Sequence, residues 1–476
     1  MSKKPVLSVL SPQAREEFLV PVADIDALLP CRQFVVEHKV TTLGKVALTT
    51  EFLLRLLRAS EGMLEEDVGA FFGFSHRELA FVLREVEQLG FVERSDGRAW
   101  ITPQGLALFR EGAANPEIFE VEKRRETHGF DLLSMAPQRW TSIGGFERRL
   151  PELKFVDPKY VSRGAQEVHQ AFRQFFRELA RDRDKGFNRR SLYSVDRVTP
   201  GERFLSIVEV NVSVSNNHPS QAQTDLSAWR PDEAELEDRS EIRAAAANLV
   251  RAFEAPGNPD DTLAFESLVA TAPDFLKEYT LRSGGLSVER YFREAAARAG
   301  EVRADRPTAA IVGSFFLRKN LTTWFDVVSY GAQDDAPGKA IIWLTPAVSC
   351  WSASTRLPDV LRQLKQKFTV DEEQPETVAV AQSREARQLG YTFDRVAVLN
   401  PRPTPAALEC LLIPNVACAV LVHAPIRGNH GFPVPLGIMS FDPAVVSKAR
   451  ELVAASAAGL GSGADYLLDL VIRKHR

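Results

Sequence analysis

The chain reads as a multidomain protein of mixed class, α/β together with α+β. It has a compact three-helix-and-hairpin unit near the N-terminus, a helical middle, and a layered α/β domain at the C-terminal end. Three observations predict this. Between Thr42 and Gly112, apolar stripes of helical period alternate with capping and turn residues. Between Ser162 and Arg181 an apolar helical stripe runs beside a row of arginines. Beyond residue 306, short apolar runs of strand length alternate with helical segments. A length of 476 residues suits two to four domains. The expected divisions are a lead-in at 1–41, the compact unit at 42–112, a basic helical connector at 113–200, a mixed strand and helix region at 201–305, and the α/β domain at 306–476.

Composition narrows the function classes. Hydrophobic content of 45% and charged content of 26% are ordinary globular values. A net charge of −4 gives no global attraction to polyanions or anionic lipid. The four cysteines, Cys31, Cys350, Cys410 and Cys418, form no C-x-x-C pair, which argues against a zinc ribbon or a thioredoxin-type couple. Free thiols in a reducing cytoplasm are the simplest account. The start, Met-Ser-Lys-Lys, lacks the apolar core of a signal peptide. No apolar run reaches the ~18 residues that span a bilayer. The G-x-x-x-x-G-K-[ST], G-x-S-x-G and H-E-x-x-H patterns do not occur. A cytoplasmic protein without membrane, nucleotide, cofactor or metal is expected.

Residues 1–41 carry Pro5, Pro12, Pro21 and Pro30 among short apolar groups and read as a packed lead-in with at most one short helix. Then come an apolar helix at Val46–Leu57 and a short one at Glu65–Phe72, which Gly73 ends. Ser75-His-Arg-Glu78 is a capping box opening a third helix, with Leu79, Val82, Leu83, Val86 and Leu89 on its apolar face. Gly90 closes it. Phe91–Arg94 and Arg98–Ile101 flank Ser95-Asp-Gly97, and Asp-Gly suits a hairpin turn of positive φ. Thr102-Pro103 caps one more helix.

The Leu83–Phe109 run, "LREVEQLGFVERSDGRAWITPQGLALF", resembles the winged-helix domain of bacterial MarR-like and ArsR-like regulators. The resemblance covers about seventy residues. It implies that the third helix enters a DNA major groove and that the wing touches the backbone. By that template Ser75, His76, Arg77 and Arg84 face the groove, with Arg94 and Arg98 from the wing. Ser75–Arg98 also holds Glu78, Glu85, Glu87, Glu93 and Asp96, for a sum of −1. The alternative is a winged helix used for packing or protein contact.

Residues 113–158 look irregular. In 162–181, Val168, Phe172, Phe175, Phe176 and Leu179 form an apolar stripe, and Arg173, Arg177 and Arg181 recur every four residues along one edge. With Arg189 and Arg190, the stretch Lys159–Arg197 has ten Lys/Arg against five Asp/Glu. It is the most basic part of the chain and a candidate phosphate footprint. The alternative is a solvated face salt-bridged to Glu178, Asp182 and Asp184. Arg203–Ser215 alternates as a half-buried strand. An acidic patch at 232–241 leads into a helix through Phe253, and 261–300 is mostly helical with a break at Ser283–Gly285.

In the last third, strands are expected at 308–313, 340–344, 377–381, 395–399, 418–423 and 434–440. Helices are expected at 358–368, 383–389 and 405–412, with the sheet mostly parallel. A polar break at 333–338, including Asp334 and Asp335, divides it. Thr345–Trp351 holds Ser349 and Cys350 but no adjacent base. The richest polar cluster is a loop after a buried strand, His423-Ala-Pro-Ile-Arg427-Gly-Asn429-His430. There His423 would act as base or nucleophile and Arg427 would hold an anion. This order resembles a degenerate half of the phospholipase D fold, whose strand leads into H-x-K-x-x-x-x-D with G-S-x-N in the next strand. Here Pro425 stands at the lysine position, His430 at the aspartate position, and Ile438 and Ser440 at the Ser and Asn positions. Proline cannot bind phosphate as lysine does. The resemblance implies a domain that has lost hydrolysis and kept a nucleic-acid or partner surface.

The leading expectation is a non-catalytic protein that binds duplex DNA, or that docks with other protein subunits of a DNA-handling or defence complex. A divergent phosphodiesterase or nuclease using His423, Arg427 and His430 is the enzymatic alternative. A protein–protein scaffold or transcriptional regulator is the third.

Overall fold

The computed structural model describes residues 17–43, 48–60, 62–109, 115–116, 119–155, 159–181, 190–229, 239–282, 285–297, 301–332, 340–427 and 430–472. It is a mixed α/β structure with several sheets. No described helix is long and apolar enough to cross a membrane.

The chain opens with β1 (Leu19–Leu43), where a lead-in with one short helix was expected. At about 3.3 Å per residue, this 25-residue strand is roughly 80 Å long. Two features hid it in the sequence. Register shifts at Pro21/Ala23 and Arg32/Phe34 flip the inward parity, so Ile25, Ala27, Leu29 and Cys31 give way to Phe34, Val36, His38 and Val40. Residues 25–31 are also buried at every position, so no polar residues alternate there.

From the far end of β1 the chain enters a compact unit. It consists of α1 (Leu48–Ala59), β2 (Met63–Leu64), α2 (Glu65–Phe72), α3 (His76–Gln88), β3 (Val92–Ser95), β4 (Arg98–Ile101) and α4 (Pro103–Leu106). The capping box at Ser75 forms: the Ser75 hydroxyl accepts from the Glu78 amide, and the Glu78 carboxylate accepts from the Ser75 amide at 2.9 Å. Asp96 and Gly97 both take positive φ, +51° and +70°, in the β3–β4 turn. The Thr102 hydroxyl caps α4 by accepting from the Gly105 amide. Leu53, Leu54, Leu57, Val68, Leu79, Val82, Leu83, Val86, Phe91, Val92 and Ala99 form a core of their own.

The return strand β5 (Phe119–Asp131) pairs antiparallel with β1 from Leu43↔Phe119 to Cys31↔Asp131. It lies where an irregular connector was expected. Two helices follow, α5 (Lys159–Gln174) and α6 (Phe176–Arg181), and then β6 (Arg190–Ser215), which pairs with nearly the whole of β1. The expected divisions at 41/42 and 200/201 therefore fall inside strands. Val168 and Phe172 of α5, Phe175 at the junction and Leu179 of α6 pack on Phe34, Val36, Phe130 and Val195 of the sheet. With β7 (Ala222–Asp225) on the far edge, the sheet order is β5-β1-β6-β7.

The remainder builds a three-layer domain. Its helices and strands in order are α7 (Ser240–Ala252), β8 (Ala255–Pro256), α8 (Pro259–Thr271), α9 (Pro273–Leu276), α10 (Val288–Ala297), β9 (Thr308–Val312), α11 (Arg318–Gly331), β10 (Ala340–Leu344), α12 (Arg356–Phe368), β11 (Glu376–Ala381), α13 (Ser383–Leu389), β12 (Arg395–Val398), β13 (Leu408–Ile413), β14 (Ala417–Ala424), β15 (His430–Gly431), β16 (Val434–Ser440), α14 (Pro443–Ala455) and α15 (Ala464–Ile472). Seven strands form one sheet in the order β12-β11-β10-β13-β14-β16-β9. Helices α11, α12 and α13 cover one face, and α8, α10, α14 and α15 cover the other, while α7 packs on β7 of the four-stranded sheet.

Two expectations are corrected here. Residues 405–412 were expected to form a helix, but 408–413 are β13; "LECLLI" is too short an apolar run to tell strand from helix by period. The sheet is not mostly parallel: among the described strands only the β10–β11 and β11–β12 pairs are, and the other four are antiparallel. Segments 414–416 and 425–433 are too short for the crossover that a parallel return needs. The polar break at 333–338 lies outside the described residues.

The inner half of the β1–β6 ribbon is anchored in this domain. The Ser314 amide donates to the Val22 carbonyl at 2.7 Å, and the Asp26 amide donates to the Ala353 carbonyl at 2.9 Å. The Asp26 carboxylate accepts from the Thr355 amide and hydroxyl at 2.6 and 2.8 Å. The Arg356 guanidinium bridges Asp24 and Glu209 and donates to the Phe316 carbonyl. The outer half, carrying β5, α5 and α6, continues as an arm, and the 48–109 unit is inserted between β1 and β5.

Candidate functional site

Helix α3 presents two opposed stripes. Leu79, Val82, Leu83 and Val86 are buried. Arg77, Phe81, Arg84 and Gln88, at spacings of four, seven and eleven, fall within an arc of roughly 60° on the opposite side. All four are exposed, and Ser75 and His76 stand exposed at the start of the helix. Neither Arg77 nor Arg84 has a carboxylate partner among the described residues.

The acids that cancelled the charge of this segment lie on its flanks. Glu78 is engaged in the capping box. Glu87 lies 3.6 Å from Arg94. Glu85 is exposed beside Arg84 at the edge of the stripe, so the exposed half of α3 carries Arg77 and Arg84 against Glu78, Glu85 and Glu87.

The wing arginines behave differently from the expectation. Arg94 is half-buried and grips Glu65 with two hydrogen bonds of 2.8 and 2.9 Å. That pairing holds the Glu65 carboxyl below its ordinary range. Arg94 thus ties β3 to α2 and α3, and it is not free to reach a backbone. Arg98 is exposed, but one guanidinium nitrogen donates to the Gly62 carbonyl at 2.8 Å.

On the arm, Arg173 and Arg177 are exposed and have no carboxylate partner among the described residues. The salt-bridged alternative for this row therefore fails for Glu178. Asp182, Asp184 and Arg189 lie outside the described residues. Arg181 and Arg190 belong to α6 and β6 by their backbone, and their side chains lie outside the described set.

The His423 cluster is not assembled as a catalytic loop. His423 is a residue of β14, 5% exposed. Its Nε2 lies 2.6 Å from Glu409 Oε2. Glu409 is a fully buried carboxylate on the neighbouring β13, and its Oε1 accepts from the indole N–H groups of Trp343 and Trp351, each at 2.8 Å. Phe315 and Phe316 pack on Trp343 at ring distances of 5.0 and 5.7 Å. Arg427 and His430 turn elsewhere, to Glu289 and Glu254, each at 3.6 Å. A cleft of about 260 Å³ beside Arg427 is lined also by Asn217, Glu289 and Arg293, but not by His423. Asn429 lies outside the described residues.

The other positions of the phospholipase-like pattern are structural. Ser440 shares a 2.7 Å hydrogen bond with Thr308. Gly437 lies so close to the Val420 carbonyl that a Cβ has no room. Burial pushes the Cys350 thiol up to about 12, so it is protonated and a poor nucleophile at neutral pH. Among the described residues, no group of three His, Cys, Asp or Glu is placed to hold a metal ion.

Three participants escaped the sequence reading. Phe81 and Gln88 were visible as the residues that complete the outward stripe of α3. Glu409 was visible as a lone carboxylate inside an apolar run. No protein-family model, no curated protein and no solved structure matches this chain.

Proposed function

We propose that the 48–109 unit is a winged helix that engages duplex DNA through the outward stripe of α3, and that the chain as a whole is a non-catalytic DNA-binding or accessory subunit. On this reading the β1–β5–β6 arm carries the reading head, and exposed Arg173 and Arg177 bind phosphates beside it. The α/β domain, with proline at 425 and His423 sealed against Glu409, is a degenerate phospholipase D-like domain retained as the seat of the arm. The carrying observation is that the two α3 arginines point outward with no carboxylate partner among the described residues, while Glu78 and Glu87 are engaged at the margins and Glu85 stands exposed beside Arg84.

The test is retention of the full chain on duplex DNA as salt is raised. The Arg77→Glu/Arg84→Glu variant should bind at least about tenfold more weakly at low salt, with the salt slope reduced by about 0.9 for each phosphate no longer neutralised. Arg173→Glu/Arg177→Glu should weaken binding in the same way if the arm lies against the same duplex. No retention at low salt, or retention indifferent to the α3 reversal, would overturn the reading.

A further inference from the structure

The loop after β14 builds a site other than the one its histidine suggested. Ile426 and Arg427 meet the turn after β6, at Asn217, and one side of α10, at Glu289, Phe292 and Arg293. These three segments enclose a cleft of about 260 Å³. Strand β13 reverses against β10, and β14 reverses again, so the cleft lies at the edge where β10, β11 and β14 all end. Ligands of layered α/β domains sit outside that edge. Phe292, 1% exposed, and Ile426, 7% exposed, give the cleft an apolar floor. The Asn217 amide donates to the Ser215 hydroxyl at 3.2 Å and holds the wall, while no described residue takes up the Asn217 side chain.

Charge decides what fits. Glu289 and Arg293 lie one turn apart on α10, and the Glu289 carboxylate sits 3.1 Å from Arg293 and 3.6 Å from Arg427. Among the described residues it is the only carboxylate that lines the cleft. Two guanidinium groups thus share one counter-ion, which leaves one positive charge and most of their N–H donors unmatched. Ion pairs this exposed are weak, so the shared carboxylate does not close the site. Paired guanidinium forks match the planar oxygens of a carboxylate. One remaining charge suits a monoanion, whereas a phosphate dianion would set excess negative charge against Glu289. The apolar floor suits a short hydrocarbon tail.

We propose that this cleft binds a small aliphatic monocarboxylate, with Arg293 and Arg427 on its carboxylate, its tail on Phe292 and Ile426, and Glu289 disfavouring dianions. Arg427 then holds an anion, as its place in the sequence suggested, but together with Arg293 and without His423. The site is independent of duplex binding.

The experiment titrates butyrate into the full chain by ligand-observed NMR, beside n-butanol and butyl phosphate. Butyrate should bind at least about tenfold more tightly than n-butanol, which lacks the charge. Butyl phosphate should bind more weakly than butyrate. Arg293→Ala and Arg427→Ala should each weaken butyrate binding about tenfold. Glu289→Gln should strengthen butyrate binding about threefold and butyl phosphate binding more. All three side chains are exposed, so the variants should melt as the wild type does, which separates a lost site from a lost fold. No butyrate binding by the wild type, or binding that both arginine variants keep, overturns the inference. So does a wild type that prefers butyl phosphate, or a Glu289→Gln variant that gains nothing for the dianion.

Discussion

Glu409 carries the sharpest residue-scale consequence. A carboxylate taken fully out of water is tolerated only where donors replace the lost hydration. Here two indole N–H groups and one imidazole do so, from three separate segments, β10, β14 and the 345–355 connection. Removing the carboxylate orphans all three donors at once. Glu409→Ala should therefore cost on the order of 3–5 kcal/mol, read from the urea midpoint of the α/β domain. His423→Ala should cost a comparable amount, because it leaves a buried charge short of a partner. A change in either variant within about 0.5 kcal/mol of zero would mean that the cluster holds nothing together. The single Glu within "ALECLLI" signalled such a site. Its partners were invisible, because a buried carboxylate recruits donors through the sheet and not through spacing along the chain.

At the scale of elements, α3 was legible because its evidence is local: a capping box, a helical stripe and a closing turn lie within sixteen residues of one another. Strand β1 was not, because bulges reset its parity twice and its inner half is buried on both faces. The α5–α6 cover shows a consequence that only the paired elements reveal. His38 of β1 lies beneath it, 2% exposed, with its ring against Phe172 and Phe176 and its Nδ1 unpartnered among the described residues. Glu126, Arg124 and His128 of β5 are its titratable neighbours. Burial, the largest influence, lowers the His38 pKa. The unfolded chain therefore takes up a proton more readily than the folded one. The stabilisation is fully present above the unfolded value of about 6.5 and fades as pH falls toward the lowered folded value. Its slope is at most about 1.4 kcal/mol per pH unit for one proton. Melting of the wild type should drop through this window, and His38→Leu should flatten the drop. Parallel pH profiles for the two proteins would rule out His38 as the cause.

For the whole molecule, the arm makes the expected divisions at 41/42 and 200/201 meaningless, since β1 and β6 each serve two layers without a change of composition at the junction. What separates parts of this chain is shared core, not sequence boundary. The ribbon root shares the core of the α/β domain, whereas the 48–109 unit has its own. Arg356 tests that division. Its guanidinium joins Asp24 of β1 and Glu209 of β6 to the start of α12, and removing it leaves two partly buried carboxylates facing each other. In Arg356→Ala, amide exchange should quicken at 19–31 and 203–215, where the ribbon lies on the domain. It should stay unchanged across 48–109, because no part of that core depends on the clasp. On the proposed duplex-binding reading, binding should also persist, since α3 and the exposed arginines of α5 and α6 lie beyond the anchored segment. Faster exchange spreading into 48–109 would show instead that this unit and the domain act as one cooperative body.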